Sequence, residues 1–273
     1  MDLNEIYKVT KDSRREEFEV AFEKIKKDFI RQQSKKCEKP LFILAGGQPG
    51  SGKTGIIETI KNSHRDRKFI VIDLDEYRKY HPNFKEIREK YPQEAVTLTN
   101  EFVFEIENEM LSYVKKNKID TINVSTLRNT SLILKSIEEI IECGFKIEVY
   151  VIAVSAEESY FSTLTRYQEQ EKDMSEVPRF VSKDFHDISY KSLMNTIENF
   201  ERINIPITVL KRAKEKKQPA IIVDRDKNVI DAIENIRKDT KNEAIEKIKN
   251  SKLNFHEKII QLEYEKFLKE IGE

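Results

Sequence analysis

The stretch Gly47-Gln48-Pro49-Gly50-Ser51-Gly52-Lys53-Thr54 restricts what this chain can fold into more than any other. It fits G-x-x-x-x-G-K-[ST], follows the apolar run Leu41-Phe42-Ile43-Leu44, and opens a segment of helical character near Gly55. That pattern is a phosphate-binding loop when strand, loop and helix follow in this order. Glycines permit positive φ and close backbone approach. Successive amides ahead of a helix N-terminus then form an anion site. Lys53 can bring a point charge to the terminal phosphates, and the Thr54 hydroxyl can ligand Mg²⁺. The expected ligand is ATP or GTP, held by residues 47–54.

The rest of the chain supplies the setting such a loop requires. Short apolar runs at Phe69–Ile72, Ile119–Val124, Lys146–Val154, Pro206–Leu210 and Ala220–Val223 read as strands. Helical periodicity fills the intervals, most clearly between Gln93 and Lys116, Ser131 and Cys143, Ala156 and Glu171, and Ser182 and Asn199. Gly144 is well placed to cap the second of these. Alternation of this kind predicts an α/β fold with a doubly wound, mostly parallel sheet flanked by helices. It is of the P-loop NTPase type, like nucleotide and sugar kinases. The expected organisation is a single P-loop kinase domain over 1–273, with a helical segment at 1–36, an α/β core at 37–225 and a helical extension at 226–273.

Charge narrows the partners. Lys+Arg 49 and Asp+Glu 49 cancel, so no global basic bias points to nucleic acid or a membrane surface. The N-terminus lacks a charged-then-apolar targeting pattern and no apolar run nears spanning length, so a cytoplasmic protein is expected. Cys37 and Cys143 are far apart, which argues against a disulfide framework or a zinc site.

Asp73-Leu74-Asp75 ends the second strand. Ligands of open parallel sheets sit outside the carboxyl ends of strands, so both acids should lie beside the phosphates. One, Asp73, could orient Mg²⁺ and the other could take a proton from an attacking hydroxyl. His81-Pro82-Asn83-Phe84 punctuates the chain, because proline disfavours helix in the residue before it. By residue type alone, most of Glu101, Glu105, Glu107 and Glu109 read as surface acids, Arg166 as a surface helix arginine, and the basic run Lys211–Lys217 as a solvated loop.

Taken together, the string Gly46–Thr54, Val71-Ile72-Asp73-Leu74-Asp75, His81-Pro82-Asn83-Phe84, Tyr150–Val154, Ser159-Tyr160, Arg166-Tyr167, Arg179 and His186-Asp187 resemble the zeta toxin family of bacterial epsilon–zeta toxin–antitoxin systems. The resemblance implies transfer of the ATP γ-phosphate to the 3′-hydroxyl of the sugar in UDP-N-acetylglucosamine. It also implies a small helical antitoxin as partner. It places Lys53 and Thr54 on phosphate and Mg²⁺, and makes Asp75 the general base. Arg166 and Arg179 become phosphate-clamping arginines, and His81, Glu107, Thr126 and Arg128 fall to the substrate side. One departure stands out. Where the family has an acid at the end of the third strand, this chain reads Val124-Ser125-Thr126, and neighbouring Asn123 would substitute only in a shifted register. The sequence therefore leaves room for a different acceptor, such as NAD or a nucleoside, and for a non-catalytic ATP-binding switch.

Overall fold

The computed structural model describes residues 2–30, 36–173, 178–213, 218–255 and 257–272. Strands β1 (Leu41–Gly46), β2 (Ile70–Ile72), β3 (Thr121–Ser125), β4 (Lys146–Ala153), β5 (Ile207–Lys211) and β6 (Ile221–Arg225) form a six-stranded sheet in the order β2-β3-β1-β4-β5-β6. All pairings are parallel except β5 with β6. The mostly parallel α/β sheet read from the sequence is the fold observed. Strand order, which no local pattern encodes, puts β1 in the middle with β3 on one side and β4 on the other. The chain thus winds first one way and then the other from β1, and the crevice outside its carboxyl end is where such sheets bind ligands.

The helices are α1 (Leu3–Tyr7), α2 (Arg15–Phe29), α3 (Thr54–Ser63), α4 (Leu74–Tyr77), α5 (Phe84–Lys90), α6 (Ala95–Asn117), α7 (Thr130–Glu142), α8 (Ala156–Glu171), α9 (Lys183–Arg202), α10 (Val229–Lys249) and α11 (Lys258–Glu270), with a 3₁₀ turn at Arg78–Tyr80. The α4–α5 stretch was legible in sequence only as punctuation. The strand alternation of β1 sorts its side chains cleanly. Leu41, Ile43 and Ala45 pack with Ile56 and Ile60 of α3, whereas Phe42 and Leu44 share the opposite core with Ile137, Leu193, Phe200 and Ile233 from α7, α9 and α10. Being buried on both faces explains why β1 and β4 read as continuous apolar runs. Gly144, at φ +78°, closes α7 as expected. The N-terminal α2 sets Phe18, Ala21 and Ile25 against Phe102, Val103 and Ile106 of α6.

The C-terminal helices are packed inward. Ala244 and Ile248 of α10, Phe255, and Ile260, Tyr264 and Phe267 of α11 form one cluster with Tyr160, Leu164 and Tyr167 of α8. Polar bonds pin its rim, Tyr160 to Glu263 at 3.0 Å and Tyr167 to Glu257 at 2.6 Å. Among the described residues no helix is long and apolar enough to cross a membrane.

Phe267 is 3% exposed and meets Tyr160 edge-on with ring centroids 4.9 Å apart. Phe267→Ala should cost about 3–5 kcal/mol, the usual range for emptying a buried aromatic site. A urea titration would show this as a lower midpoint with an unchanged slope.

Candidate active site

The residues between β1 and α3 adopt the conformation their glycines allow. Gly50 and Gly52 take φ +77° and +94°. A Cβ on Gly50 would come within 1.9 Å of the Ser159 carbonyl oxygen, so no larger residue fits there. Thr54 begins α3, and its exposed side chain sits in the first helical turn. Lys53 folds back across the loop, donating to the Gly47 carbonyl at 3.1 Å and the Gln48 carbonyl at 3.4 Å. Burial, reinforced by the Arg166 charge and only partly offset by Asp73 and Asp75, lowers its ammonium pKa to about 8. Pro49 and Ser51 complete the turn. The Ser51 hydroxyl and Gln48 Oε1 are buried, with no hydrogen-bond partner among the described residues.

Asp73 and Asp75 stand at the carboxyl end of β2, around the start of α4. Asp73 caps that helix, accepting from the Asp75 amide at 3.1 Å. Burial raises its carboxyl pKa, and the Asp75 charge raises it further. For Asp75 the balance is reversed. Crowding by protein would push it up, but Arg179, Arg78 and Arg166 outweigh that and hold it at about 2. Asp75 is ion-paired with Arg179 and lies 3.2 Å from Arg78 Nε. Arg78 is itself buried and fixed by the Val96 carbonyl at 3.0 Å and the Thr99 hydroxyl at 2.8 Å. Two carboxylates two positions apart thus have their pKa values shifted in opposite directions.

Among the described residues Lys53, Arg78, Arg166 and Arg179 surround this pair of acids, four cations against two anions. Such an excess, next to a loop of backbone amides, suits a polyanionic ligand. For a metal, Thr54 and Asp73 offer hard oxygen donors. Among the described residues no cluster of three or more His, Cys, Asp or Glu side chains could hold an ion. The donor set fits Mg²⁺, which typically takes one or two protein oxygens and completes its shell with phosphates and water.

The residues that the resemblance assigns to the substrate are distributed less simply. Glu107, on α6, is not a surface acid. Burial raises its pKa, and Asn123 Nδ2 donates to it at 3.3 Å. β3 keeps an unbroken register with β1, pairing Leu44 with Asn123 and Ala45 with Val124. Asn123 therefore faces α6 without any register shift, while Val124 packs into the apolar cluster on the α3 side. Thr126 follows β3 in the turn, and Arg128 lies over the Phe185 ring at 4.3 Å. His81 does not join the site. Its ring is buried, with Nε2 2.9 Å from the Tyr7 carbonyl and Nδ1 accepting from the Asn83 amide at 3.1 Å. Burial lowers its pKa to about 4, leaving a neutral imidazole that ties the α4–α5 corner to α1.

Two arginines escaped the sequence reading. Arg78 had a local signal, three residues after Asp75 on a helical stretch. Arg212 had none, for it belongs to the basic run read as a solvated loop. It is instead half-buried, donating to the Ser51 carbonyl at 3.2 Å and also to the Gly50 carbonyl, and is fixed by Glu158 at 3.0 Å and Ser162 at 2.9 Å. Residues 214–217 of that run lie outside the described residues.

The family model for Zeta toxin matches residues 26–228. This chain belongs to the zeta toxin family. It is 27% identical to Toxin PezT of Streptococcus pneumoniae over 176 residues, 64% of this chain and 69% of that protein. It is 29% identical to Toxin zeta of Enterococcus hirae over 174 residues, which span 64% of this chain and 60% of the relative. Among solved structures, a chain of the PezAT chromosomal toxin–antitoxin system of S. pneumoniae superposes with a TM-score of 0.70 at 23% identity, covering 98% of this chain and 99% of that one. An AvrRxo1-ORF1:ORF2 complex with ATP gives a TM-score of 0.59 at 14% identity, covering 94% of this chain and 85% of that one. The zeta toxin fold therefore extends through the C-terminal helices, beyond the segment matched in sequence.

The depressed Lys53 pKa has a measurable consequence. A bound triphosphate stabilises the charged ammonium, so ATP should bind most tightly below pH 8 and progressively more weakly as pH rises through about 8. Calorimetric titrations from pH 7 to 10 would show the loss together with proton uptake on the alkaline side, and a Lys53→Arg chain should lack that pH dependence.

Proposed function

We propose that this chain is an ATP-dependent phosphotransferase. It moves the γ-phosphate to the 3′-hydroxyl of the sugar in UDP-N-acetylglucosamine or a related UDP-sugar, and acts as the toxin of a toxin–antitoxin pair restrained by a small helical antitoxin. The observation that carries the reading is the meeting of Lys53, Asp73, Asp75 and Arg179 at the carboxyl edge of the sheet. Family membership and the toxin–antitoxin relatives support it. Phosphoryl transfer asks a protein mainly for positioning and charge neutralisation, which this cluster is equipped to supply.

In this reading the amides of residues 47–54 and Lys53 receive the β- and γ-phosphates. Thr54 and Asp73 would hold Mg²⁺, which when bound neutralises charge across those phosphate oxygens. Asp75 is the base, but a carboxylate held at about 2 is a poor proton acceptor while Arg179 grips it. Arg179 is also one of the two arginines assigned to the phosphates. Its exchange from Asp75 to the γ-phosphate would strengthen the clamp and raise the proton affinity of the base in one movement. Arg166, from α8, adds charge to the same side. Glu107 with Asn123, Thr126 and Arg128 would meet the acceptor. A second acceptor class, NAD or a nucleoside, is favoured by one observation: Val124 is apolar and packed away from Glu107.

The protein, ATP and Mg²⁺ incubated with a panel of UDP-sugars, NAD and nucleosides should yield one product heavier by a phosphoryl group. No mass gain on any of them, from protein that binds ATP, would sink the transferase reading and favour a nucleotide switch. Asp75→Asn should keep ATP binding and lose transfer by about 10²- to 10⁴-fold, the usual contribution of a general base.

A further inference from the structure

Beneath the phosphate loop, Ser159 Oγ lies 2.8 Å from His186 Nε2, and His186 Nδ1 lies 3.0 Å from Asp187 Oδ1. The residue types are those of a hydrolytic triad, but the location is not. Ser159 and His186 are both 0% exposed, and the backbone of Gly50 covers the Ser159 carbonyl, so no acyl substrate can reach the hydroxyl. The group faces inward, toward Gln48. Gln48 is also 0% exposed, and its Nε2 donates to the Val154 carbonyl at 3.0 Å and to Ser159 Oγ at 3.3 Å.

The direction of every bond follows from the chemistry of its ends. The Asp187 carboxylate only accepts, from His186 Nδ1–H and from Lys183 Nζ at 2.6 Å. Burial lowers the His186 pKa against the opposing pull of Asp187, which favours the neutral ring. With the proton on Nδ1, Nε2 is an acceptor and takes the Ser159 hydroxyl proton. The Ser159 oxygen is then available to accept from Gln48. The Ser155 carbonyl, 2.9 Å from Ser159 Oγ, offers the hydroxyl another acceptor, but donating there would strand a buried imidazole nitrogen. Donors thus point one way along Gln48–Ser159–His186, and a charged pair, Asp187 with Lys183, fixes the far end.

Gln48 is not a passive end to this chain. Its backbone carbonyl receives both the Ser51 amide at 3.1 Å and Lys53 Nζ at 3.4 Å, so its position helps set the curvature of the loop. Among the described residues its Oε1 has no hydrogen-bond partner, and the two Nε2 bonds orient the side chain. We propose that His186 is a positioning residue for nucleotide binding, holding the Gln48 side chain through Ser159 and thereby the shape of the loop that receives the phosphates. The inference rests on the nucleotide-site reading given above and adds to it a residue on α9 that never touches the ligand.

Asparagine and glutamine at position 186 separate positioning from packing. Asparagine places its amide near Nδ1 and can keep the bond to Asp187 while losing the acceptor for Ser159. Glutamine reaches toward Nε2 and can restore that acceptor. With ATP·Mg²⁺ as the titrant in calorimetry, H186N and S159A should each raise the Kd about three- to tenfold, the worth of one net hydrogen bond. H186Q should return most of that loss, and acceptor KM should stay unchanged throughout. H186N or S159A binding ATP as tightly as the unaltered chain would overturn the inference. An H186Q chain as weak as H186N would overturn it too, since lost packing would then explain both. If H186N does not fold, S159A, which removes only a hydroxyl, decides alone. Absence of ATP binding by the unaltered protein would instead overturn the nucleotide-site reading and the inference with it.

Discussion

At Gly50 the phosphate loop meets α8 main chain against main chain. Gly50 lies against the Ser159 carbonyl so closely that even a methyl group would collide, and its positive φ disfavours any other residue. Backbone packed on backbone leaves little room for independent movement. Whatever α8 carries is therefore placed relative to the loop, including Arg166 two turns further along. The helix is in turn held from three directions. Ser155 caps its start, Arg88 of α5 donates to the Gln170 carbonyl near its end, and α10 and α11 bury their apolar faces against its outer side. The C-terminal helices, read from sequence only as a helical extension, brace the arginine-bearing helix from behind.

A second constraint is electrostatic. Asp73 and Asp75 are close enough that each raises the cost of charging the other, and their surroundings resolve the conflict in opposite directions. Asp73 is half-buried, with the Asp75 charge beside it, so its proton affinity rises even though one oxygen caps α4. Asp75 lies among three guanidinium groups and stays ionised. Environments that push neighbouring carboxylates apart are what acid–base and metal-binding roles require. The ion pair with Arg179 is partly solvated, with Asp75's side chain 39% exposed, so it is worth little to stability and is easily exchanged for a better anion. That exchangeability is useful for an arginine reached from the segment between α8 and α9.

How much of this was legible in the sequence depended on the range of the interaction. Gly47–Thr54, the strands and Gly144 are local features, and the residues themselves carry the signal through spacing and conformational preference. Strand order is not local, because placing β3 rather than β2 beside β1 is decided by packing on both faces. The same limit applied to single side chains. His81 was assigned to the substrate side through the family resemblance, but the fold closes its two ring nitrogens on Tyr7 and Asn83. Glu107 reads as a surface acid among Glu101, Glu105 and Glu109, and only the approach of β3 buries it. Arg212 sits in a lysine-rich run, and nothing near it in sequence reveals that it will reach carbonyls some 160 positions earlier.

The acceptor side turns on the end of β3, where backbone geometry matters more than the loss of one acid. Leu127 adopts φ +54°, a left-handed conformation costing an ordinary residue roughly 1–2 kcal/mol. Its side chain offsets that cost by burying completely against Gly46, where a Cβ would lie 2.0 Å from Leu127 Cδ1. Its carbonyl accepts from the Thr196 hydroxyl at 2.8 Å and its amide donates to Ser125 Oγ at 3.1 Å. The sharp turn that results carries Arg128 onto the Phe185 ring. Gly46 thus serves as a socket for Leu127, whereas Gly50 and Gly52 shape the loop between β1 and α3. Because Gly46 ends β1 and directly precedes the phosphate loop, one strand end sets the spacing between the two halves of the site. With that spacing fixed by main chain, discrimination among acceptors in the proposed transfer would fall to the side chains lining the gap. Val124 has turned toward α3, so the polar partner facing the gap from β3 is Asn123, bonded to Glu107. An amide that both donates and accepts, beside a carboxyl group that accepts, is a pairing suited to hydroxyl-rich ligands.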